Sequence, residues 1–173
     1  PAGSGGVGTR LVGVAGDSQD PLARSFIVDR LAPGTSVRRQ VEIINSTSST
    51  AIVAVYPAAA SLHGGRFGFA PGHSRNELSG WTSVSRDVLR LPTGSSAFET
   101  VTINAPNQAS SGERYAVIWA EVSAPAPPAG GVTLVNRVGV RMYVSIGPGG
   151  APPSNFVIGT LTVKRAATGE PLF

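Results

Sequence analysis

The sequence predicts an all-β protein, an Ig-like antiparallel β-sandwich of about 7–9 short strands. Three observations carry that reading. Apolar residues recur with period two rather than 3.6. Clusters of turn-forming residues separate the periodic stretches at short intervals. Charged residues are only 14% of the chain, while Gly (22) and Pro (14) are abundant, a balance that suits strands and turns better than long helices.

Residues 1–8, "PAGSGGVG", read as a Gly-rich tail, and the sandwich is expected over 9–150. A first strand is expected near 25–31. In "SVRRQVEIIN", Val37, Val41 and Ile43 oppose Arg38, Gln40 and Glu42, the alternation of a half-buried antiparallel strand. Further strands are expected at 51–60 and 88–91. "AFETVTINAP" opposes Val101 and Ile103 to Thr100, Thr102 and Asn104, and another strand is expected over 113–122. The clearest alternation is "RVGVRMYVSIG": Val138, Val140, Met142, Val144 and Ile146 share one face, and Arg137, Gly139, Arg141, Tyr143 and Ser145 the other. No stretch has a convincing helical period.

Turn signals fall between these strands: "APGTS" at 32–36, "NSTSST" at 45–50, "HGG" at 63–65, "PTGSS" at 92–96, "NQASSG" at 107–112 and "APAPPAGG" at 124–131. Beyond "GPGGAPPS" at 147–154, residues 151–173 read as a linker with either a closing strand, near 156–164, or the opening of a following domain. The chain reads as a fragment of a longer one, with any signal peptide or anchor outside it.

Several function classes are excluded or weakened. Cysteine is absent, which removes disulfides, cysteine-type zinc sites and thiol nucleophiles together. The formal charge is +4 with a pI near 10.3, but 13 of the 14 basic residues are Arg and they are scattered. No basic run marks a nucleic-acid or anionic-lipid patch. The longest apolar run, the 12 residues of 51–62, falls short of the roughly 20 that a membrane helix needs.

"GSGGVG" fits G-x-G-x-x-G at Gly3, Gly5 and Gly8, yet it follows no strand and opens no helix, so it gives no phosphate cradle. His63 and His73 lie outside any zinc-ligand spacing and read as surface-loop residues. "GHSRN" at 72–76 departs from the serine-hydrolase elbow. With four Asp and six Glu in all, no catalytic constellation stands out. No enzyme activity, cofactor or metal is expected.

Two tryptophans draw attention. In "GERYAVIWAEVSAP" the strand is apolar on both faces, with Tyr115, Val117, Trp119 and Glu121 together on one. Trp119 then fills core volume or lies under a loop; the alternative is an exposed ring stacking on a sugar, with Glu121 as acceptor. Trp81, in the loop-like "LSGWTSV", is a candidate for partial exposure.

The stretches "DRLAPGTSVRRQVEIINSTSSTAIVAVYPAAA", "DVLRLPTGSSAFETVTINAP" and "SGERYAVIWAEV" carry an ordered set of features. A "PG" turn precedes a strand ending in Asn45; a strand "AIVAVYPAAA" follows; "L-x-L-x-x-G" leads into a strand ending in "AP"; a Gly turn opens an apolar strand. Over roughly residues 26–123 the chain resembles the DUF916-type domain, the peptidoglycan-binding Ig-like module of bacterial WxL-interacting cell-surface proteins. "RVGVRMYVSIG" is also similar to the Arg-bearing strand that closes the first domain of pilus chaperones. The Ala-, Gly- and Arg-rich usage suggests an actinobacterial source.

The resemblance implies an extracellular domain of a membrane-anchored protein, reaching the membrane only through an anchor outside this chain. The expected function is a non-enzymatic module on a bacterial cell surface that binds peptidoglycan or another cell-wall polymer. The candidate ligand-binding residues are Arg137, Arg141, Tyr143 and Trp81, since Arg pairs with muropeptide carboxylates and an aromatic face covers a sugar. The ordinary reading of those Arg residues is a solvated strand face. The alternative function is a structural or protein-interaction domain that docks another surface protein by strand addition, marked by an exposed edge strand.

Overall fold

The computed structural model describes residues 5–13, 25–123 and 135–148, with the backbone of 164–165 and 171–172. In order, the elements are β1 (Val7–Val12), β2 (Phe26–Leu31), β3 (Ser36–Asn45), β4 (Ala51–His63), β5 (Arg66–Phe69), α1 (Glu77–Trp81), β6 (Thr82–Val84), β7 (Val88–Leu91), β8 (Ser96–Asn104), β9 (Gly112–Ser123), β10 (Val135–Ile146), β11 (Lys164–Arg165) and β12 (Pro171–Leu172). One sheet runs β1-β3-β8-β6; the other runs β2-β10-β9-β4-β5, with β7 also on β4. β11 and β12 pair only with each other. The architecture is the expected Ig-like β-sandwich.

The period-two stretches became strands because each could bury one face. On β10, Val140, Met142, Val144 and Ile146 are buried, and on β8 Val101 and Ile103 are. They meet Val41 and Ile43 of β3, Val53 and Val55 of β4, and Ile27 of β2 in one cluster. Burying such a side chain is worth about 1.5–3 kcal/mol against leaving it in water. All pairings in the two sheets are antiparallel except that of β2, which runs parallel to β10 from Phe26↔Arg141 to Leu31↔Ile146.

The sandwich gains strands that the sequence pattern did not announce. β1 starts at Val7, inside the stretch expected as a tail, and pairs with β3 from Val7↔Asn45 to Val12↔Gln40. β5 and β6 are too short to display a period. One short helix, α1, replaces the loop expected around Trp81. Asn76 caps it: its side chain accepts from Ser79 N at 3.0 Å, and Ser79 Oγ accepts from Asn76 N at 2.8 Å. This reciprocal pair satisfies donors that a helix start otherwise leaves open. The Asn76 amide also donates to Ala60 O and Tyr115 O, tying α1 to β4 and β9. The strand expected over 156–164 lies outside the described residues except for Lys164.

Two turns show why their residues are needed. Gly34 sits at φ +77°, where a side chain would be strained and would run into Asn107 Oδ1. Asn45, fully buried at the end of β3, donates from its amide to Ser49 O, Leu91 O and Pro92 O, and its Oδ1 accepts from Thr47. One side chain thus fixes the loop after β3 to the end of β7.

The buried carboxylates are each partnered. Glu99, 0% exposed on the core face of β8, accepts from Ser85 Oγ at 2.5 Å and Arg86 N at 2.9 Å and pairs with Arg86 Nε at 2.7 Å. Asp29 of β2 pairs with Arg39 of β3; burial outweighs this cation and holds its carboxyl above the ordinary value. Glu42 accepts from Ser96 Oγ at 2.7 Å and Arg10 Nε at 2.5 Å, and these hydrogen bonds hold its pKa below the ordinary value.

Candidate binding face

The outward faces of β9 and β10 carry the side chains that the core does not use. Tyr115, Val117, Trp119 and Glu121 project from β9, and Arg137, Arg141, Tyr143 and Ser145 from β10. A residue with no side chain, Gly139, sits opposite Trp119 in the β9/β10 register. A Cβ there would lie 2.7 Å from Trp119 Cε3 and 2.8 Å from Val117 Cγ2. The indole therefore rests against the β10 backbone at a place only glycine leaves open.

β4 continues past its partner β9 and turns back at Gly64 and Gly65 into β5. The hairpin brings Phe67 and Phe69 onto the same outer face. Phe69 lies 4.8 Å from Trp119, centroid to centroid, and Phe67 lies 5.1 Å from Tyr143 and 6.2 Å from Tyr115. Ala58, Val117 and Trp119 form a second small core beneath them, with Tyr56 at its margin. Trp119 is only 8% exposed, so it lies under the hairpin and is not the exposed sugar platform weighed as its alternative.

A polar clasp closes one end of this face. Tyr56 stacks on His73 at 3.9 Å and its hydroxyl donates to Glu121. Burial, then that hydrogen bond, pushes the Tyr56 pKa up to about 12. Arg137 Nε lies 3.5 Å from Glu121, its guanidinium sits 5.7 Å above the Trp119 ring, and it donates to Gly72 O at 3.3 Å. His73 Nε2 is 3.8 Å from the same carboxylate.

At the other end, a cavity of about 380 Å³ opens between β2, β10 and β9, lined by Phe26, Val28, Glu113, Tyr115, Tyr143, Val144 and Ser145. It adjoins an edge of β2 that has no strand partner among the described residues. Val28, on that edge, is 71% exposed.

The four candidate ligand-binding residues are not brought together. Tyr143 lines the cavity. Arg141 lies beside it with its guanidinium 5.2–5.8 Å above Phe26, Phe67 and Phe69; the strand face is packed with aromatic rings, not simply solvated. Arg137 belongs to the clasp and lines a separate cavity of about 270 Å³ with Gly5, Val7 and Asn136. Trp81 packs against the main core under Arg114. Phe26, Val28, Glu113 and Tyr115 escaped sequence reasoning as site residues, although the alternation in "FIVDRL" already set Phe26 and Val28 on one face. Among the described residues no group of three or more His, Asp or Glu is placed to hold a metal ion, and no helix is long and apolar enough to cross a membrane.

No family model matches the chain, and no curated protein matches it. Solved structures do. The chain is similar to a family 123 glycoside hydrolase from Clostridium perfringens (TM-score 0.51, 11% identity), covering 81% of this chain and 27% of that one. It is similar to the E. coli chaperone DraB (TM-score 0.49, 15% identity, 82% of this chain and 61% of that one). It is also similar to the ASH / PapD-like domain 7 of human CEP192 (TM-score 0.44, 12% identity, 83% of this chain and 86% of that one). At these identities the likeness is one of fold.

Proposed function

We propose that this domain is a non-enzymatic binding module that holds an extended segment of another protein by strand addition along β2. The observation that carries the reading is one of position: a strand edge with no partner among the described residues lies directly beside a cavity, and Phe26 and Val28 of that strand form part of its wall. In strand addition the backbone supplies the hydrogen bonds and pockets beside the edge select alternate side chains. A partner strand on β2 would extend the sheet and lay a side chain over this opening.

The test is hydrogen exchange at β2 with peptides selected from a displayed random library. Expected is slowed exchange across 26–31 on binding, lost in Val28→Lys, since a charge on an edge strand opposes pairing. Binding that leaves β2 exchange unchanged, or that survives Val28→Lys, would sink strand addition.

A second reading, on a bacterial cell surface, is favoured by Tyr143 lining the cavity while Arg141 lies over its neighbour Phe26, and supported by the resemblance to the DUF916-type module. Aromatic faces suit sugar C–H surfaces and Arg suits muropeptide carboxylates. Co-sedimentation with insoluble peptidoglycan, reduced by Arg141→Ala and Tyr143→Ala, would support it; no sedimentation of the wild type would end it.

A further inference from the structure

The walls of the cavity beside β2 differ from those of a purely apolar slot. Phe26 and Tyr143 stand perpendicular, at 90° with centroids 5.8 Å apart, and Tyr115 and Tyr143 stand at 87° and 5.8 Å. Rings so arranged form walls at right angles, and the face of each ring carries the negative part of its quadrupole. Glu113 is the only carboxylate on the lining among the described residues. Its carboxylate accepts from the Tyr115 hydroxyl and has no cationic partner among the described residues. The neighbouring Arg114 is turned away, 2.7 Å from Glu77.

The same ring system already attracts a cation within the chain. The Arg141 guanidinium lies above Phe26, Phe67 and Phe69, yet neither Arg141 nor Phe67 lines the cavity. The space bounded by Tyr115, Tyr143 and Glu113 therefore remains open to a second cation. A cation over an aromatic face gains most when a ring wall shields it from water, and a carboxylate at the rim adds direct Coulomb attraction. The Glu113–Tyr115 hydrogen bond raises the pKa of the Tyr115 hydroxyl, so the phenol stays a donor and holds the carboxylate at the rim.

We infer that this cavity is a cation-recognition site, taking the Lys or Arg side chain of the extended segment that pairs with β2. The source of the side chain rests on the strand-addition reading; the preference for a cation does not. A small probe separates the two. n-Butylammonium is titrated against n-butanol, its neutral isostere, while the ring resonances of Tyr115 and Tyr143 are followed by NMR.

Expected are saturable shifts with n-butylammonium, affinity at least about fivefold above n-butanol, and a loss of that preference in Glu113→Gln and Tyr143→Leu. Glu113 is exposed, so Glu113→Gln leaves the fold intact even if Tyr143→Leu does not. Equal binding of the two probes, no binding of either, or an unchanged preference in Glu113→Gln would overturn the inference. Cation preference without β2 protection by any peptide would refute strand addition alone. Peptides that protect β2 equally well with Lys and with norleucine would refute cation selection alone.

Discussion

The two faces of β9 and β10 are built from alternate residues of the same two strands, yet they are different materials. Inward, Ala116, Ile118, Val140, Met142 and Val144 belong to a cluster whose buried members are all aliphatic, with Trp81 packed at its margin. Outward, all three tyrosines of the chain gather with Trp119, Phe26, Phe67 and Phe69, and two arginines lie over them. Aliphatic side chains interdigitate at the spacing of two packed sheets. Rings bring large area, edge-to-face geometry and faces that attract cations. The inner face holds the fold; the outer face is a sheet surface roofed by a hairpin, with β2 at its edge among the described residues.

The comparison breaks most visibly in the core. Ile43→Ala, at a fully buried position, is expected to cost about 2–5 kcal/mol in urea unfolding, because the cavity adds to the lost transfer energy. A removal from the outer face should cost less and reach β5 first.

Gly139→Val tests that face directly. The new side chain would press on Trp119, Val117 and Ile118 O, the last at 2.9 Å from its Cβ, with an expected cost of about 1–3 kcal/mol. In a Trp81→Phe background, Trp119 emission should shift red as the indole leaves its seat. An unshifted spectrum would mean that the hairpin does not depend on it.

Tyr56→Phe removes one hydroxyl from the clasp and should cost about 0.5–1.5 kcal/mol. The raised pKa gives the sign with pH. The folded state keeps the phenolic proton, so the contribution is whole below the ordinary value of 10.0 and is lost as pH rises through about 12. Alkaline unfolding of Tyr56→Phe should lack that component.

The smallest effect is expected at Glu42, in the other sheet. Its pKa is lowered, so its contribution is present above the ordinary 4.5 and fades as pH falls through the lower folded value. Because Arg10 is half exposed, the loss should be no more than about 1 kcal/mol. Glu42→Gln should flatten that part of the stability profile, below the ordinary 4.5.

The core was the legible part. The alternation in β3, β8 and β10 by itself marks Val41, Ile43, Val101, Ile103, Val140 and Met142 as core, because period two admits one buried face. The same parity put Glu99 on the core side with Val101 and Ile103, a signal that a partnered carboxylate is buried there. The outer face was only half legible. Alternation grouped Tyr115 with Trp119 and Arg137 with Tyr143, but "RFGF" is too short to show a period, so nothing revealed that a hairpin would fold over them. Trp81 looked loop-borne for the same reason: five helical residues cannot display a 3.6 repeat, and the Asn76–Ser79 cap is a contact rather than a pattern.

The parallel pairing of β2 with β10 has a mechanical consequence. Leu31 O still accepts from Gly147 N at the end of the pair. A pull applied backward at Phe26 and forward at Ile146 would draw the two strands past each other lengthwise. The six registered pairs would then share the load together instead of opening one by one like a zipper. The strand at the edge of the sheet among the described residues is thus also one that would resist being torn away under tension.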